Sequence, residues 1–135
     1  MSVDESDAGS VAGPVGPSDP GYLDVQVAET AAGLMVCRIV GDLDLGGVAR
    51  ARAGLNQVVA SGRPLVVVDL SEVGFCDSAG LNLLLQVRLE AEGAGVDLGL
   101  VALSAPVVRV FELTGAAELF RVFPSVAQAE AEIKA

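Results

Sequence analysis

The segment Phe75-Cys76-Asp77-Ser78-Ala79-Gly80-Leu81 follows the apolar run Leu65-Val66-Val67-Val68, which ends in Asp69. An apolar strand, a short turn and a helix opening with Asp-Ser place the Ser78 hydroxyl at a helix N-terminus, where backbone amides favour an anion such as phosphate. Gly41-Asp42-Leu43-Asp44, at the end of an earlier strand, adds two carboxylates that lie beside this turn if the two strands are neighbours. Asp77 and Ser78 are also residue types that cap helices, and Asp42 and Asp44 are equally suited to a solvated loop that starts a helix. Asp69 and Ser71 read as a strand end and its turn, and Thr114-Gly115 as a helix stop.

These residues need a scaffold that brings strand ends together. After residue 22 the sequence alternates Leu23, Val25 and Val27 with Asp24, Gln26 and Ala28, the pattern of a half-exposed edge strand. A second strand is predicted over 34–40, ended by Gly41, and a helix over 46–61, closed by Gly62. Residues 65–69 are apolar on both faces, as inner strands of helix-covered parallel sheets must be. Further elements follow: a helix over 81–94, a strand over 96–103, a helix over 106–114 with Pro106 near its start, a short strand over 119–123, and a helix over 125–134 capped by Ser125. Strictly alternating strands and helices imply an α/β domain with a mainly parallel sheet and an N-terminal edge strand.

Composition narrows the function. The 135 residues suit one domain, and a hydrophobic content of 52% suffices for a core. Mean hydropathy is positive at +0.57, yet the apolar runs are far shorter than the roughly 18 residues of a membrane span. The net charge of −10 disfavours nucleic-acid backbones and anionic membranes as partners. With no histidine in the chain, neither a Ser-His-Asp nor a Cys-His nucleophile can be assembled. Cys37 and Cys76 form no disulfide framework or metal signature and read as small buried thiols. The first residues lack a basic and then apolar leader, so the cytoplasm is the expected compartment. Residues 1–20 combine Pro, Gly and Ser with four acids and no base, a disordered-tail composition expected to be dispensable for folding; the domain is assigned to 21–135.

Taken in order, Gly41-Asp42-Leu43-Asp44, the segment from Val67 to Leu81 with its Asp77-Ser78-Ala79-Gly80-Leu81, and Leu113-Thr114-Gly115 with Phe120 beyond resemble the STAS-domain anti-sigma factor antagonists. The likeness runs from about residue 22 to the C-terminus. It departs from the family pattern at Asp42, where Glu is frequent, and at Asn82, where Gly is common.

The resemblance implies a β-α superhelix and partner switching. An unphosphorylated antagonist binds an anti-sigma factor that is also a serine kinase, the kinase phosphorylates it, and a serine phosphatase reverses the modification. Carried over, Ser78 is the expected phosphoacceptor, with Asp42, Asp44, Asp77 and Gly80 at the same surface. The helix after Ser78 has an apolar arc wider than one sheet-facing stripe needs, so Leu83 and Val87 join the expected partner surface; the alternative is that neighbouring helices cover them. The implied protein is a regulator of sigma-factor-dependent transcription, without enzymatic activity, cofactor or metal. A second reading is a structural or regulatory STAS subunit of a transport-associated or stress-signalling assembly, in which Ser78 is only a cap.

Overall fold

Alternation of apolar and polar residues sets the first hairpin. In the computed structural model, which describes residues 21–134, strand β1 (Leu23–Glu29) pairs antiparallel with β2 (Met35–Leu43), from Leu23 opposite Gly41 to Glu29 opposite Met35. The connection closes on Thr30, whose hydroxyl accepts from Leu34 N–H, and turns at Gly33, with φ of +90°. Beyond this hairpin the chain alternates: α1 (Val48–Val59), β3 (Leu65–Cys76), α2 (Ser78–Gly93), β4 (Asp97–Val101), α3 (Ala105–Thr114), a 3-10 turn (Ala116–Leu119), β5 (Arg121–Phe123) and α4 (Val126–Lys134). The sheet order is β1-β2-β3-β4-β5, with every pair after the first parallel. This is the α/β domain with a mainly parallel sheet and an N-terminal edge strand expected from the sequence.

Successive strand residues face opposite sides, so each inner strand feeds two cores. Cys37, Ile39, Val66, Val68, Leu70, Leu98 and Leu100 pack with α1, α2 and α3 in the larger core, together with Leu55, Leu84 and Phe111. Their neighbours Val36, Val67 and Val101 form a smaller cluster on the other face with Leu34 and Ala129, the latter contributed by α4. The continuous apolar run at 65–68 is thereby explained: all four residues are buried.

The boundaries differ from expectation where polar residues continue a strand. β3 does not stop at Asp69 but runs to Cys76, and β2 runs through Gly41 to Leu43. The pairing of β2 with β3 shifts register between Arg38 and Val40 and again between Gly41 and Asp42. Such bulges rotate the strand, so the inward residues become Leu70, Val73 and Cys76, spaced by three instead of two. The sequence of exposed residues between them imitates a turn. Asp69 lies within the strand, its carboxylate accepting from Ser71 N–H at 2.9 Å. α2 starts at Ser78, three residues earlier than predicted, and β4 ends at Val101 because Ala102 adopts φ of +54°. The expected strand over 119–123 is a 3-10 turn followed by the three residues of β5. The ends of α3 and α4 match their signals. Gly115 is left-handed at φ of +73°, the Thr114 hydroxyl donates to Val110 O at 2.8 Å, and Ser125 Oγ accepts from Gln128 N–H at 3.2 Å. The tail assignment for 1–20 lies outside the described residues.

Candidate functional site

Parallel pairing of β2 with β3 aligns Asp42 with Phe75 and Leu43 with Cys76, so the two segments singled out in the sequence finish at one edge of the sheet. Asp77 follows immediately and its N–H donates to Leu43 O at 3.4 Å, tying the turn to the end of β2. Asp77 is the N-cap of α2. With extended backbone, its Oδ1 accepts from Gly80 N–H at 3.1 Å. One of the four unpaired N–H groups that begin a helix is thus satisfied by the residue before Ser78.

Ser78 is the first residue of α2 and is exposed. Among the described residues its hydroxyl has no hydrogen-bond partner, so it is left with no structural task; capping belongs to Asp77. The helix runs sixteen residues, and the positive end of its dipole meets solvent at the Ser78 hydroxyl. Chemically, this is a hydroxyl free to accept a group, at a position that stabilises added negative charge.

The two earlier acids have local partners. Asp42 Oδ2 accepts from Gly21 N–H at 2.9 Å, and its own N–H donates to Tyr22 O at 2.7 Å, so it clamps the point where the chain enters the fold. Asp44 Oδ1 accepts from Gly47 N–H at 3.2 Å and shapes the turn into α1. Both remain half-exposed at the Ser78 edge, so a scaffold contact and an outward carboxylate coexist in each.

Three residues expected at the surface are interior. Gly80 is buried because α2 passes over the end of β2: a Cβ there would stand 2.3 Å from Leu43 O. Val87 has no exposure and Leu83 only 4%, since α1 packs along α2 and covers the second apolar stripe. Leu83 still forms the floor of a groove of about 470 Å³ between the two helices, whose walls include Leu45, Val48, Ala79, Asn82 and Gln86. The residues that carry exposed apolar surface at this edge are instead Leu45, 73% exposed, and Phe75, 50% exposed. Phe75 borders a second hollow of about 290 Å³ with Pro106, Arg109 and Val110 of α3. The signal for both was present: Leu45 is a bulky apolar residue immediately after Gly41-Asp42-Leu43-Asp44, and Phe75 opens the segment that holds Asp77-Ser78.

Cys76 sits beneath the site, buried and unpaired, its thiol pushed up to about 11 by burial and then by the Asp77 carboxylate. Cys37 is equally enclosed, and burial raises its thiol to about 12. Among the described residues no group of three or more His, Cys, Asp or Glu side chains gathers as a metal site would require, and no helix is long and apolar enough to cross a membrane.

The STAS-domain family model matches residues 22–129. The anti-sigma-F factor antagonist RsfB of Mycobacterium tuberculosis is 34% identical over 109 residues, covering 81% of this chain and 88% of RsfB. The crystal structure of an anti-sigma factor antagonist from Mycobacterium paratuberculosis superposes with a TM-score of 0.77 at 26% identity, over 87% of this chain and 99% of that one. The Bacillus cell-fate determinant SpoIIAA, in its phosphorylated form, superposes with a TM-score of 0.61 over 82% of this chain and 99% of SpoIIAA; at 22% identity that likeness concerns the fold alone.

Proposed function

The chain belongs to the STAS-domain family of anti-sigma factor antagonists, and from that premise we propose that it is a phosphorylation-controlled switch in the cytoplasm. In this reading the unphosphorylated protein binds an anti-sigma factor serine kinase, and phosphorylation of Ser78 releases it. A serine phosphatase resets the cycle. The chain acts as a binding module, and ATP and Mg²⁺ arrive with the kinase. The observation that carries the proposal is the division of labour at the start of α2: Asp77 caps the helix and Ser78 stands exposed without a partner among the described residues.

The binding surface consists of Ser78, the half-exposed Asp42, Asp44 and Asp77, and the apolar Leu45 and Phe75 on either flank. Gly80, Leu83 and Val87 act from below, by holding α2 against Leu43 and α1. Incubation with the anti-sigma factor kinase and ATP, followed by mass spectrometry, tests the assignment. One phosphate is expected on Ser78, none on the Ser78→Ala protein, and Ser78→Ala should still bind the kinase. Phosphate persisting on Ser78→Ala, or a kinase that ignores the chain, would overturn the reading.

A further inference from the structure

One helical turn beyond Ser78, α2 brings two side chains back to the same side of the helix, at positions 81 and 82. Leu81 is buried in the core, so the residue that shares exposed surface with Ser78 is Asn82. Side chains of an α-helix lean toward its N-terminus, which carries the Asn82 carboxamide back over the turn that begins with Ser78. Cβ atoms four residues apart stand about 5–6 Å from each other, a gap that a phosphoryl group on the Ser78 oxygen would fill.

The surrounding groups leave Asn82 as the side-chain donor for such a group. Asp42 at the end of β2, Asp44 just after it and Asp77 before the helix all present carboxylates at this edge. The N–H of Gly80 is taken by Asp77 Oδ1. Arg52 of α1 lines the neighbouring groove, but its guanidinium is turned onto Glu90 and Gln86, at 3.2 and 2.6 Å. Gln86 is thereby engaged, whereas the Asn82 carboxamide has no hydrogen-bond partner among the described residues.

Asn82 also lines the α1–α2 groove, together with Ala79, Leu45 and Val48. We propose that Asn82 is the positioning residue for a phosphate on Ser78: its Nδ2 donates to a phosphoryl oxygen and holds the group at the mouth of that groove. The inference rests on the phosphorylation of Ser78 proposed above and adds where the phosphate goes. A dianion held there faces the apolar opening formed by Leu45, Val48 and Leu83 instead of swinging in solvent, so the modification acts on the part of the surface that an apolar side chain of the partner would enter. A hydrogen bond to the charged oxygen also favours the dianion over the monoanion.

The test uses the full chain with phosphoserine incorporated at position 78 during translation, so it needs no kinase. In an NMR titration the phosphorus signal should report the second ionisation of the phosphate, near or below about 6, and the side-chain amide signals of Asn82 should move with the same midpoint. Asn82→Ala should raise that midpoint by about 0.5, a threefold tighter hold on the proton, and Asn82→Asp, which places a like charge there, should raise it further. Asn82→Gln keeps a carboxamide and should retain most of the lowering. Position 82 is exposed, and far-UV circular dichroism of each variant checks that the helix is intact. Asn82 side-chain signals that stay still through the titration, or a midpoint unchanged in Asn82→Ala, would overturn the proposal. So would movement confined to the backbone amides of Ser78 and Ala79, which would assign the phosphate to the helix end alone. A chain that no kinase modifies would overturn the switch itself, a result read in a separate assay from this contact.

Discussion

A methyl group at position 80 would meet the backbone oxygen of Leu43 at 2.3 Å, a clash that no side-chain rotation relieves. Gly80→Ala should therefore cost about 3 kcal/mol or more in urea unfolding, at the upper end of overpacking penalties, and should push α2 off the end of β2. Because Ser78 rides on that helix, partner binding should fall more than the loss of folded protein explains. The two thiols predict a pH effect of definite sign. Folding raises Cys76 to about 11 and Cys37 to about 12 from an ordinary 9.0, so the native state keeps protons that the unfolded chain gives up. Their contribution to stability is complete below pH 9 and is lost as pH rises from there through the folded values. Denaturation midpoints measured from pH 8 to 11 should decline, and Cys76→Ala should flatten the decline. Thiol reagents at pH 8 should label the native protein far more slowly than the unfolded chain.

The start of α2 has a separable capping element. Asp77→Ala removes the acceptor of Gly80 N–H and should cost about 1 kcal/mol, while Asp77→Asn keeps an acceptor and should cost less. Both variants leave Ser78 in place, so phosphorylation assays on them separate the cap from the hydroxyl. At the end of β4, Ala102 holds a left-handed φ, and Ala102→Gly should gain up to about 1 kcal/mol in the same unfolding assay. The elements were legible in the sequence wherever a single physical signal dominated. The all-apolar 65–68 run announced an inner strand, and Gly115 and Ser125 marked helix ends because conformation and capping depend on residue type. The second half of β3 was not legible, since its two register shifts replace the two-residue period with a three-residue one. Likewise, an apolar arc on α2 does not disclose whether a partner or α1 covers it. Packing of α1 on α2, a tertiary fact, decided that Leu83 and Val87 are interior.

For the whole molecule, the proposed phosphorylation of Ser78 would add roughly −1.5 to −2 charge at one edge of a chain that already carries −10. The N-terminus of α2 favours that charge, so the helix and the sheet behind it have no reason to rearrange. Far-UV circular dichroism of the phosphorylated and unmodified proteins should superpose. In the proposed switch, release of the partner must then come from the interface itself, where the phosphate would join Asp42, Asp44 and Asp77 against any acid or nucleotide phosphate that the partner presents. A like-charge pair about 6 Å apart at an effective dielectric of ~20 costs roughly 2.8 kcal/mol before screening, about a hundredfold in affinity. One or two such pairs suffice, and because they lie at an exposed edge, salt should weaken them. The affinity ratio between unmodified and phosphorylated protein should therefore shrink as ionic strength rises from 0.05 to about 0.5 M, with Ser78→Asp, which adds a single charge, intermediate throughout. Titrations of the kinase with all three proteins across that range check this. A salt-independent ratio would instead assign release to steric exclusion by the phosphate, and a loss of helical signal would assign it to unwinding of α2.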